Sequence, residues 1–140
     1  MTETDHRPYW IIDILPKQVP ADSPGRYFTV EKYFLAHLDD LCRKFARVLI
    51  KLNCYRDLRV STDHERWTGD FTPEDLETFF QESVDTHSPL FIQIHPSEAL
   101  LTFTGDDHYL TLYAPDEDLL TLLRPLTASE GLFVWAPEAS

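Results

Sequence analysis

From Val30 to Leu52 the apolar positions fall at steps of three and four: Val30, Phe34, Leu38, Leu41, Phe45, Val48 and Leu52. On a 3.6-residue period these share one face, so the spacing predicts a single amphipathic helix of about six turns that forms the spine of the core. Thr29 stands where an N-cap hydroxyl would accept a bond from the first turn. Asp39 with Arg43, and Asp40 with Lys44, are acid-first pairs on the outer face, each adding about 0.2–0.5 kcal/mol to an isolated helix. A second helix is announced by Thr72-Pro73-Glu74-Asp75, which supplies a cap, a proline for the first turn and acids for the positive end of the dipole. Its apolar stripe is Leu76, Phe79, Phe80 and Val84. A third begins at Asp116-Glu117-Asp118, runs through Leu119, Leu120 and Leu123, and is expected to end near Pro125, because proline removes a helix donor.

Elsewhere the period shortens to two. Leu101 and Phe103 alternate with Thr102 and Thr104, and Leu110 and Leu112 flank Thr111. With Phe91–His95 before them and turn residues at Pro96-Ser97 and Gly105-Asp106-Asp107, these segments predict an antiparallel meander. Leu58–Ser61 and Leu132–Trp135 are shorter strands, and Tyr9–Leu15 is the first. The predicted order is β-α-β-α-β-β-β-α-β, and its three successive hairpin-like strands exclude a regular parallel β/α repeat. The expected class is α+β: a largely antiparallel sheet with helices packed mainly on one face, forming one domain over residues 1–140.

One position breaks the pattern of the first strand. Asp13 sits among Trp10, Ile11, Ile12, Ile14 and Leu15, just ahead of a loop punctuated by Pro16, Pro20, Pro24 and Gly25. Apolar neighbours on both faces predict an interior strand covered on each side. Within reach of residues 16–26, the carboxylate is expected to clasp the loop through its N–H groups or through Lys17 or Arg26. The expected cost of Asp13→Ala is about 1–3 kcal/mol.

Charge narrows the functional classes. The chain carries a net −12, and the surplus is one-sided: residues 1–66 hold ten acids against eleven Lys and Arg, whereas residues 67–140 hold fourteen against Arg124 alone. Such a field disfavours nucleic acid and anionic membranes and suits a basic partner or plain solubility. The chain has no run of about 20 apolar residues that could span a bilayer. Its opening residues lack the layout of a secretory signal. Cys42 and Cys54 lie too far apart on one helix to bridge. Reduced thiols and a cytoplasmic location are expected.

Motifs for chemistry are sparse. The histidines show neither HxH nor HxxxH spacing, no CxxC occurs, and no metal or cofactor is expected. Asp106-Asp107-His108 follows Gly105 at a hairpin tip and reads as turn chemistry. The four glycines stand apart from one another, which excludes a phosphate-cradling loop, and there is no GxSxG elbow. Cys42 flanks the helix stripe as an apolar filler. Acid–base chemistry has three candidates, Asp13, His37 and His95, each with a structural role as its ordinary explanation. Arg43, Lys44, Arg47, Lys51, Arg56, Arg59 and Arg66 crowd one stretch near Tyr55 and Trp67, yet the whole chain is acidic, so a solvated helix face is expected rather than a nucleic-acid groove. What remains is protein recognition. The expectation is a non-catalytic module, of inhibitor or immunity type, that offers Trp67, Asp106, Asp107, Tyr109 and Tyr113 to a basic protein. The alternatives are a small Asp/His enzyme beside the 16–26 loop and a homo-oligomeric structural subunit.

Overall fold

Alternation in the strands decides which way the sheet faces. In the computed structural model, which describes residues 9–20 and 25–137, the chain runs β1 (Tyr9–Asp13), α1 (Arg26–Leu35), α2 (Leu38–Leu52), β2 (Asp57–Ser61), α3 (Pro73–Thr86), β3 (Pro89–His95), β4 (Ala99–Thr104), β5 (Leu110–Tyr113), α4 (Glu117–Ala128) and β6 (Phe133–Trp135). The six strands form one sheet in the order β2-β3-β4-β5-β1-β6, and every pairing is antiparallel. The α+β class and the meander β3–β4–β5 are as expected. β1 is an interior strand, held between β5 and β6.

Register places Leu58, Ile94 and Ala99 in one row, then Val60, Ile92, Leu101 and Leu112 in the next, with Leu110 against Ile12. All are buried and join Leu41, Phe45, Val48, Leu49 and Leu52 of α2, Leu76 and Phe80 of α3, and Leu119, Leu120 and Leu123 of α4 in one cluster. Phe45 is its centre, with ring centroids 6.0 Å from Phe80 and 5.7 Å from Phe103. The residues between, including Phe91, Gln93, Leu100, Thr102, Thr111 and Tyr113, point the other way and are only half-buried.

The long first helix is corrected to two. α1 ends at Leu35 and α2 starts at Leu38, with His37 at φ −122° between them. The His37 ring lies stacked on Tyr33, 4.3 Å away, and its Nδ1 is 2.7 Å from the Tyr33 carbonyl oxygen, so the side chain takes up an acceptor at the end of α1. Thr29 is therefore inside α1 and not its cap; Gly25 holds that place without a side-chain bond. Val30 and Phe34 lie outside the core cluster, since α1 buries no residue at all. On α2, Arg43 pairs with Asp40 at 2.8 Å rather than with Asp39. Thr72 and Asp75 close the expected capping box on α3. α4 continues past Pro125 to Ala128. Pro125 and Thr121 are both exposed, so water can satisfy the carbonyl that the proline leaves without a donor. Residues 21–24 of the proline loop, Pro24 included, lie outside the described residues. No helix among the described residues is long and apolar enough to cross a membrane.

Candidate functional site

The last residue of β1 and the approach to β5 meet because of their register. Ile12 faces Leu110, so the same pairing carried one step further brings the segment around His108 to Asp13. The two side chains touch: His108 Nδ1 is 3.3 Å from Asp13 Oδ1. A carboxylate can only accept, so Nδ1 carries the hydrogen. The same oxygen accepts the Ile14 N–H at 2.7 Å. At the far side of the imidazole, Nε2 lies 3.1 Å from the Tyr27 hydroxyl and 3.4 Å from Glu31 Oε2. Tyr27 and Glu31 are one helical turn apart on α1, which puts both on the same face.

The pair is buried, with His108 2% and Asp13 4% exposed. Burial by itself would lower the His108 pKa, but the hydrogen bond and charge of Asp13, then the charge of Glu31, outweigh it and raise the value above that of an ordinary imidazole. The Tyr27 hydroxyl is pushed up to about 12, first by burial and then by the charges of Glu31 and Asp13, so it stays protonated. Burial also raises Tyr109 and Asp107 beside the histidine. Asp13 and Tyr27 form part of the wall of a cleft of about 320 Å³, completed by Lys17, Val19 and Pro20 of the proline loop, Phe28 and Trp135. The Trp135 Nε1–H finds no acceptor among the described residues.

A larger groove of about 1030 Å³ opens over the sheet face that carries Gln93, Leu100 and Tyr113, lined by these residues, His64 and His95 with the turn Pro96–Glu98. His64 links it to Trp67, whose ring is 5.5 Å away, and to Phe91 at 4.8 Å. Tyr113 packs near Tyr9 at 6.1 Å.

The expected site residues therefore divide into groups. Tyr113 lines this groove and Trp67 reaches it only through His64, whereas Asp106, Asp107 and Tyr109 sit at the opposite end of β5 next to His108. Asp106 is engaged by His87 at 2.6 Å. Of the acid–base candidates, His95 lies in the groove, 3.3 Å from Gln93 Oε1, and His37 is on the surface against Tyr33. Neither is bonded to Asp13. His108 is, and its reading as turn chemistry alone is corrected: a buried imidazole between two carboxylates ties β5 to β1 and α1. The expected clasp also changes partner, because Asp13 forms no ion pair with Lys17 or Arg26 among the described residues and takes His108 instead.

Tyr27 and Glu31 were likewise invisible as site residues. Their i,i+4 spacing gives them a common face, but nothing local says that a histidine 77 positions beyond Glu31 lies opposite. Asp13 and Glu31 flank opposite ring nitrogens, so the cluster is a chain of hydrogen bonds and not a ligand set. No group of three or more His, Cys, Asp or Glu among the described residues is placed to hold a metal ion. Burial, with Asp39 nearby, pushes the Cys42 thiol up to about 12, which leaves it inert. Comparison with protein-family models, curated proteins and solved structures gives no match to the chain.

Proposed function

We propose that the chain is a non-catalytic protein-binding module whose sheet face around Leu100 and Tyr113 receives a basic protein. The observation that carries this reading is the groove of about 1030 Å³ on that face, where Leu100 and Tyr113 sit half-exposed with His64 and His95. Apolar and aromatic groups held at partial exposure by a rigid sheet are the usual centre of a protein interface. The basic character of the partner follows from charge. Glu98 stands in the groove without a cationic partner among the described residues, and residues 67–140 carry the acidic surplus, whereas Asp57 of β2, opposite His95, is paired with Arg59 at 3.5 Å. Complementary charge of this kind speeds encounter and fails at high salt.

The test uses affinity capture at low and high salt with the native chain and with Leu100→Glu, which changes the groove without entering the core. The reading predicts a basic protein captured only at low salt by the native chain. The purified pair should then bind in calorimetry, with affinity reduced at least tenfold by Leu100→Glu. A partner that binds the variant equally well, or capture of no basic protein, would overturn it.

A second reading, acid–base catalysis at Asp13, is favoured by one fact: Asp13 lines the proline-loop cleft while hydrogen-bonded to a histidine. A substrate would meet the carboxylate from the cleft, and His108, buried behind it, would set its protonation. NMR fragment screening decides this reading. Fragments that shift Tyr27 and Trp135 together, and cease to do so in Asp13→Asn, support it; an empty cleft sinks it.

A further inference from the structure

We infer that α1 is latched to the sheet through His108 and comes free as the pH rises. The inference stands on how α1 is attached. None of its residues is buried, and none belongs to the core cluster or packs against it. Phe28 and Tyr33 are 70% and 58% exposed. A groove of about 450 Å³ lies along Tyr33 and Phe34 of α1 and Leu41, Lys44 and Arg47 of α2, so apolar packing between the two helices is incomplete. Val30, Phe34 and Leu35 are half-buried, but among the described residues the polar side chains that α1 commits to the body are Tyr27 and Glu31, and both go to one atom, His108 Nε2.

The groups facing His108 are Asp13 from β1, Tyr27 and Glu31 from α1, and Asp107 and Tyr109 from its own segment. Charged, the imidazole donates at both nitrogens, to Asp13 on one side and to the α1 groups on the other. Neutral, it keeps Nδ1–H for Asp13, and Nε2 becomes a lone pair. Tyr27, still protonated, has a single hydrogen to give, to that lone pair or to Glu31, so one of these two acceptors is left facing the other without a donor. One of the two ties becomes repulsive while the core beneath is untouched.

The sign follows from linkage. Docked α1 sets the Glu31 carboxylate 3.4 Å from Nε2, which favours the charged ring, so the latch is complete below the value the ring takes with α1 undocked and is lost as pH climbs through the docked value. Within that window the opening constant of α1 rises by up to about tenfold per pH unit. The device is independent of what the groove around Leu100 and Tyr113 binds.

Hydrogen exchange between pH 6 and 9, corrected for intrinsic rates, tests it on the native chain and on Glu31→Gln. Glu31 is half-exposed, so the variant retains the fold, and protection in α2 and β4 reports that directly. Protection of α1 amides should fall with pH in the native chain while α2 stays level. Glu31→Gln should flatten the dependence. NMR titration of the His108 ring in the same samples should give a midpoint within the α1 transition. Flat α1 protection across the range, an unchanged slope in Glu31→Gln, or a ring midpoint outside the transition would overturn the inference.

Discussion

A buried carboxylate beside a buried imidazole is worth more as a pair than either group is alone. Asp13→Asn keeps the shape but removes the charge that holds the His108 proton, and burial then acts with Glu31 and a backbone hydrogen bond left to oppose it. The ring should titrate lower than in the native chain, read by NMR, and urea unfolding near neutral pH should show a loss of about 1–3 kcal/mol, the scale for a buried hydrogen bond to a charged group. The two thiols give a contrasting single-residue test. Cys54 is exposed and Cys42 is buried with its thiol pushed up to about 12. A thiol reagent at neutral pH should modify one cysteine in the native protein and both after unfolding. Gly105 is constrained from outside its own turn: a Cβ there would run into the backbone of Ser83 and Val84. Gly105→Ala should destabilise the protein by more than about 1 kcal/mol, because that backbone belongs to α3 and cannot step aside.

At the scale of elements, local chemistry was legible and long-range register was not. The stripe Leu41, Phe45, Val48 and Leu52 and the Thr72–Asp75 cap were written in the sequence, since each depends on neighbours three or four residues away. Phe45→Ala should cost about 3–5 kcal/mol and Thr72→Ala about 1 kcal/mol, both by chemical denaturation. The break at His37 was hidden because Val30 and Phe34 extend the apolar period without having a core to enter. Pro125 misled in the opposite sense: on the exposed face of α4 the helix tolerates a missing donor that its buried face would not. The Asp13–His108 contact depends on β5 pairing with β1, and 95 residues separate the partners. Turn residues around Gly105 point to a hairpin but do not name the strand on its far side.

Over the whole molecule, the charge imbalance is partly settled internally. Arg47 and Lys51 of α2 converge on Glu130 just beyond α4, at 2.6 and 2.9 Å. Burial would raise the Glu130 carboxyl, but the hydrogen bonds from Lys51 and Arg47 prevail and hold it below the usual glutamate range. Asp63, exposed in the turn after β2, is lowered to about 2, chiefly by the N–H groups of Arg66 and Glu65. The stabilisation from these two acids is present above the unfolded carboxylate range and is lost as pH falls through their folded values. The His108 contribution is lost in the opposite direction. Thermal melts from pH 2 to 9 should therefore show a broad maximum with decline on both sides. In Glu130→Gln the acid limb should begin at lower stability and fall less steeply.

β1 is the earliest strand of the chain, yet β5 and β6, which hold it on either side, are the latest. As the chain is synthesised, β2 to β5 can pair in order as they emerge, with α2 and α3 already available to cover them. Trp10-Ile11-Ile12 must wait, unpaired, for roughly a hundred residues until its berth exists, and closing so long a loop carries the entropic cost that slows non-local pairing. Pulse-labelled refolding should find β1 and β6 amides protected after those of β3 and β4. Until then the waiting segment is an apolar strand with two open edges, the part of the nascent protein most in need of a chaperone.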